Sequence, residues 1–246
     1  MTAITPENLL EELRRAAGVV TGITAKLSEE DVKAPSELPG WTRGHVLAHI
    51  CGIANAMARQ LEFAAQGASV ELYDGGYEGR TRTIEMAAGH TLAEHREDVE
   101  AALARALHAF ETLDEAGWQA PISYRGGVVL DGGLALWREL VIHATDLATG
   151  RGPETWSRPF CEHLFDFLAA RVPEGQRFVL QPLGLPGTAI GTPGGRSTAI
   201  NGMLTDIAAW LAGRTPTLGS LRATAAADGV DLPELLPWPA GVPVTR

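Results

Sequence analysis

Two stretches of this chain carry side chains suited to holding a metal ion. GWTRGHVLAHI offers His45 and His49, and LWRELVIHATDL, far along the chain, offers Glu139 and His143. Each pair is spaced i, i+4, which puts both side chains on nearly the same face of an α-helix, one turn apart. Two such helices packed together could gather imidazole nitrogens and a carboxylate around one cation. Two His and one Glu supply three protein ligands and leave a coordination position open, as in a catalytic zinc site. The same spacings also arise by chance, and an i, i+4 Glu–His pair can do no more than stabilise its own helix. Asp146, three residues after His143, could orient a ligand from behind or simply end a helix in solvent.

The elements that would position these groups follow from periodicity. Thr5-Pro6 reads as an N-cap with Pro at the first helical position, and Leu9, Leu13, Val20 and Leu27 recur at helical spacing, so a first helix is expected over residues 6–27. A second helix is expected from near Trp41, with Val46, Ile50, Ile53, Met57 and Leu61 as its apolar stripe. On a wheel of ~100° per residue, His49 falls at the edge of that stripe and His45 further round. His49 can therefore point into a bundle more readily than His45. Residues 67–83, GASVELYDGGYEGRTRT, read as a Gly-rich loop able to contact a site. A third helical region is expected from near Arg82, with Thr91 and Glu94 as a capping box. ISYRGGVVL, two apolar runs around Gly126-Gly127, reads as a small β-hairpin. A fourth helix is expected over residues 134 to about 148. It is apolar almost all round, which implies packing on several sides and makes Glu139 hard to explain as surface.

The run Thr149-Gly150-Arg151-Gly152-Pro153 marks a domain boundary. Residues 1–150 are then a four-helix bundle, a scaffold that builds metal sites from inward side chains on facing helices. Residues 151–246 form a small α+β domain: a helix over residues 159–171, strands in RFVLQPLG, GTAIGTP and STAING, a helix over residues 203–212, and a Pro-rich tail lying on the surface. The fold class expected for the whole chain is α+β.

Composition bounds the partners. The 246 residues are 45% hydrophobic and 20% charged with a net charge of −10, ordinary for a globular protein and poor for nucleic acid or an anionic membrane. No apolar run reaches the length of a membrane span, and the polar, acidic N-terminal stretch predicts no signal peptide. Cys51 and Cys161 lack C-x-x-C spacing, so reduced thiols and a cytoplasmic location are expected; Cys51, two residues after His49, is read as a small apolar filler in preference to a nucleophile or ligand. His90, His95, His108 and His163 are expected in surface or capping roles, and Trp41 and Trp137 in the core.

Together, LPGWTRGHVLAHI, LWRELVIHATDLATG and WLAGRT resemble the mycothiol-dependent maleylpyruvate isomerases, which belong to the DinB-like metalloenzyme superfamily. The resemblance covers most of the chain, including the domain order, the hairpin between helices and the small C-terminal domain. It implies a metal site of one His on the second helix and a Glu-x-x-x-His on the fourth, matching His49, Glu139 and His143 and choosing His49 over His45. It also implies a catalytic and cofactor-binding arginine in an Ala-Gly-Arg segment, here Arg214, and a second catalytic arginine matching Arg82. Bidentate guanidinium contacts suit a dicarboxylate substrate or a polar cofactor. Read without the resemblance, Arg214 is equally a cation at a helix C-terminus.

The implied cofactors are mycothiol and zinc, or another divalent metal such as nickel or cobalt. The implied reaction is addition of a metal-activated thiolate to the cis double bond of maleylpyruvate or a similar unsaturated acid, rotation, and elimination to the trans product. Two alternatives stand beside it: a mycothiol S-transferase that consumes its thiol, and a binding bundle whose site is vestigial. The implied partners are a small-molecule substrate and a low-molecular-weight thiol; the oligomeric state is left open by the sequence, with a monomer as the working expectation. Specificity is expected to reside in the loop around residues 73–80.

Overall fold

The computed structural model describes residues 4–226 and 228–239. The chain forms two compact units that meet in sequence between Gly150 and Arg151, and the fold is α+β, helical first and with a mixed sheet after.

The first unit contains α1 (Pro6–Thr24), α2 (Glu29–Lys33), α3 (Arg43–Ala64), α4 (Gly76–Ala87), α5 (Leu92–Glu111), α6 (Glu115–Trp118) and α7 (Val129–Asp146). The four long helices close a bundle: α3 packs on α5 and α7, and α1 packs on the same two from the other side. Leu9, Leu13, Ile50, Met57, Phe110 and Trp137 are fully buried between them, and each such apolar side chain is worth ~1.5–3 kcal/mol of transfer free energy. The helix starts are chemically explicit. Thr5 accepts the Asn8 N–H with Pro6 in the first turn, and Thr91 and Glu94 exchange capping bonds. Trp41 is half-buried, and its ring lies against His45 and His49.

Three expectations change. The stretch expected as a loop over residues 67–83 is helical from Gly76 onward, as α4. Gly75 and Gly76 take φ of +70° and +64°, a turn open to glycine that starts a helix without a side-chain cap. The segment ISYRGGVVL is not a hairpin. One bridge joins Pro121 to Val128, Tyr124–Gly126 is a 3-10 turn, and Arg125 itself takes φ +54°. The apolar pair Val129-Leu130 opens α7 instead of continuing a strand, because Asp131 accepts the Val128 N–H at 2.9 Å and caps the helix. The fourth long helix therefore starts at Val129 rather than near residue 134.

The second unit contains α8 (Arg158–Leu168), β1 (Gln176–Pro182), β2 (Thr188–Gly191), β3 (Arg196–Gly202), α9 (Leu204–Leu211), β4 (Arg222–Ala225) and β5 (Asp228–Val230). The sheet order is β2-β1-β3-β4-β5, with β1 and β3 parallel and the other pairs antiparallel. Phe178, Leu180 and Ile200 turn inward, and α9 packs on β1, β3 and α8. Strands β4 and β5 carry too little alternation to be read from sequence. Of the Pro-rich tail, Leu236 exchanges two hydrogen bonds with Arg171; residues 240–246 lie outside the described residues. No described helix is long and apolar enough to cross a membrane.

Candidate metal centre

The start of α3 separates its two histidines. Thr42 is the N-cap, and His45 at the third helical position closes the capping box, its Nδ1 lying 2.7 Å from Thr42 Oγ1. The other ring nitrogen of His45 is 3.5 Å from Glu85 on α4. His45 is thereby used in capping the start of α3. His49 lies one turn further on, 4% exposed, on the face that packs against α7.

Glu139 and His143 meet it there. His49 Nε2 lies 2.9 Å from Glu139 Oε2 and 3.0 Å from His143 Nε2, and His143 Nε2 lies 3.1 Å from the same carboxylate oxygen. Among the described residues, this is the group of three His, Cys, Asp or Glu side chains whose donor atoms converge enough to share a cation. Behind it, Asp146 Oδ2 accepts from His143 Nδ1 at 2.8 Å. Asp146 is completely buried, and its backbone carbonyl accepts the Glu37 N–H.

The electrostatics are those of a shared site. Burial opposes charge on His143, but Asp146 and Glu139 outweigh it and raise its pKa to about 9. Burial would raise the Glu139 carboxyl, yet the two imidazoles hold it well below the usual carboxylate range. His49 is pushed down by burial and by the neighbouring His143 charge. Two imidazole nitrogens and one carboxylate oxygen are the donor set of a three-protein-ligand zinc site. The His143–Asp146 bond is the outer contact that fixes a ligating tautomer. The residues fit a divalent metal.

Of the two arginines expected from the sequence, Arg82 belongs to the first unit and Arg214 to the second. Arg82 is exposed on α4, its nearest acidic neighbour Glu78 at 3.9 Å. Arg80, two residues earlier, is the one that reaches the cluster: its Nη2 is 3.0 Å from His49 Nδ1. The two positions are about 200° apart on the helix, so only one of them can face α3. Reading residues 67–83 as a loop hid this, since a helical wheel over α4 separates the two arginines. Tyr73, in the preceding loop, stands 5.9 Å from the Arg80 guanidinium carbon. Arg214 lies in the second unit just after α9, its backbone N–H bonded to Ala209 O and its Nη1 donating to Ala212 O. Cys51 and Cys161 are unpaired, and burial pushes both thiols up to about 12. His90 bonds Asp98, and His95 is buried rather than at the surface.

Comparison with known proteins gives a consistent result. A family model described as the mycothiol maleylpyruvate isomerase N-terminal domain matches residues 7–148, and one described as the MDMPI C-terminal domain matches residues 155–237. A crystal structure of the mycothiol-dependent maleylpyruvate isomerase is similar over 96% of this chain and 99% of its own, at 21% identity and a TM-score of 0.82. A histidine-to-alanine mutant of the mycothiol-dependent maleylpyruvate isomerase is similar over the same shares, at 20% identity and a TM-score of 0.81. No curated protein matches the chain.

Proposed function

The chain belongs to the mycothiol maleylpyruvate isomerase family, and we propose that it is itself a mycothiol-dependent cis–trans isomerase of maleylpyruvate or a similar unsaturated acid. The observation that carries this reading is the convergence of His49, Glu139 and His143 from two helices onto one point. We assign zinc, or another divalent metal, to those three side chains.

When bound, the metal supplies the charge that keeps a thiol ionised, and mycothiol supplies a sulfur nucleophile whose reversible addition turns a double bond into a rotatable single bond. The protein's part is to hold and orient. Asp146 holds a proton of His143 on Nδ1, so that Nε2 is the nitrogen that would ligate once a metal displaced its own proton. Glu139 contributes a carboxylate that stays ionised across the physiological range. Arg214 takes a carboxylate of the substrate or of the thiol, a role supported by its Ala-Gly-Arg context. Neither protein cysteine serves as nucleophile, since both are held as neutral thiols by burial. Reduced cysteines also support a cytoplasmic setting.

The test is metal analysis of the purified chain, followed by NMR of maleylpyruvate incubated with enzyme and thiol. The expected result is stoichiometric metal, the trans product and an undiminished thiol pool, with both metal and turnover lost in His49→Ala and Glu139→Ala. Retention of metal and isomerisation in those variants refutes the assignment, and thiol consumed one for one identifies an S-transferase instead.

A further inference from the structure

The turn that opens α4 is built to hold its position. Gly75 takes φ of +70°. A Cβ on Gly79 would collide with the Asp74 carbonyl oxygen, and Arg59 of α3 pairs with the Asp74 carboxylate. Fixed in this way, the turn brings Arg80 against the cluster, its Nη2 3.0 Å from His49 Nδ1 and its guanidinium carbon 5.9 Å from the centre of the Tyr73 ring. Arg80 and Tyr73 are both half-buried. What Arg80 lacks is a counter-charge. Arg59 has Asp74 and Arg82 has Glu78, while Glu139 is engaged by the two imidazoles. Among the described residues no carboxylate forms an ion pair with Arg80, in a chain where 30 acidic side chains face 20 basic ones. Taking a cation partly out of water without an opposite charge costs free energy. A guanidinium carries five N–H donors in a planar fork, and the His49 contact engages one amino group of it. A fork with donors to spare, held rigidly beside a candidate centre, matches a carboxylate in shape and charge.

We propose that Arg80 binds a carboxylate of the substrate and restricts the centre to acids, with Tyr73 as the ring that backs the guanidinium. Arg80 is then a specificity-determining residue: a neutral amide or ester in the same place leaves the guanidinium unpaired and is rejected for that reason. The inference rests on reading the chain as an isomerase of an unsaturated acid and narrows that class. The guanidinium stands one imidazole ring away from the point where His49, Glu139 and His143 converge. Carboxylate and double bond are therefore only a few bonds apart in the substrate. Arg214 belongs to the second unit, and an acid with two carboxylates offers one to each arginine.

The experiment uses the full-length, metal-loaded protein without thiol, and succinate as the probe, a saturated dicarboxylate to which no thiol can add. Calorimetry gives its affinity for the wild type, Arg80→Gln and Arg80→Lys, with succinamide as the neutral counterpart. Metal content, and KM and kcat for maleylpyruvate with thiol restored, are measured on the same preparations. The expected result is that the wild type binds succinate and not succinamide. In Arg80→Gln, the Kd for succinate and the KM rise about ten- to hundredfold with metal content unchanged. Arg80→Lys recovers part of the loss, since it keeps the charge without the fork. Absence of succinate binding by the wild type, or equal Kd and KM in wild type and Arg80→Gln, overturns the proposal. Metal lost in step with succinate in both variants also overturns it, and makes Arg80 a support of His49 instead. Arginine-dependent succinate binding without conversion of maleylpyruvate by the wild type removes the isomerase reading and leaves the carboxylate site standing; conversion by all three proteins at equal KM does the reverse.

Discussion

Asp146 and His143 are joined through Oδ2 and Nδ1 at 2.8 Å, inside a site where the aspartate has no exposed surface. The bond occupies Nδ1 and leaves Nε2 as the nitrogen that faces His49 and Glu139. It also places a second carboxylate one step behind the cluster, where it raises the basicity of the ring without competing for the same atom.

Asp146→Asn is therefore expected to weaken zinc binding by about ten- to hundredfold and to leave the bundle folded. Chelator competition beside a thermal melt checks this. Unchanged affinity would mean that the ring is oriented by packing alone.

Arg214→Ala is expected to lower kcat/KM by about ten- to a hundredfold, the loss of one charge-assisted contact, with metal content unchanged. Steady-state kinetics and metal analysis on the same preparation separate this from a loss of the centre.

Gly44 tests the seam between α3 and the segment that follows α4. A Cβ there would stand 2.6 Å from the Ala88 carbonyl oxygen and 3.2 Å from His95 Nε2. Backbone cannot yield as a flexible side chain does, so Gly44→Ala is expected to destabilise the first unit by about 1–3 kcal/mol. Denaturant unfolding followed on the helical signal measures it.

The second unit has an acid-sensitive pin. Burial pushes the Asp206 carboxyl up, but hydrogen bonds from the side chain and backbone of Ser220 and from the Leu218 N–H outweigh it and hold the pKa below the ordinary value. A depressed carboxyl stabilises the fold fully above the unfolded value of about 4, and that stabilisation disappears as pH falls through the folded value beneath it. Asp206→Asn is expected to cost about 1–3 kcal/mol near neutrality and to remove this part of the acid dependence. Melting temperatures from pH 7 down to pH 2 check the sign; a variant as acid-sensitive as the wild type would refute it.

Cys51→Ala and Cys161→Ala are expected to keep thiol-dependent turnover, because neither sulfur reaches the thiolate form near neutral pH. Loss of turnover in a well-folded variant would bring a protein nucleophile into the reaction.

The amino-acid order by itself determined what depends on short spacings. Thr5-Pro6 and Thr91 with Glu94 specify helix starts through bonds made within one turn. The i, i+4 interval places Glu139 above His143 whatever surrounds them, and the apolar stripe of α3 turns His49 inward more than His45. Family motifs, being contiguous strings, were legible for the same reason. Where two local readings competed, the sequence decided less. The apolar run before α7 suited a strand as well as a first helical turn, and the Asp131 cap chose the helix.

Only the tertiary structure decided which groups meet. His49 and Glu139 are separated by 90 positions, and their contact at 2.9 Å exists because burying the apolar faces of α3 and α7 against each other brings those two turns to the same height. No local spacing encodes that height. Arg80 reaches His49 and Arg82 does not because α4 is a helix set against α3 at one rotation. That rotation is the one that buries Ile84 and Gly79.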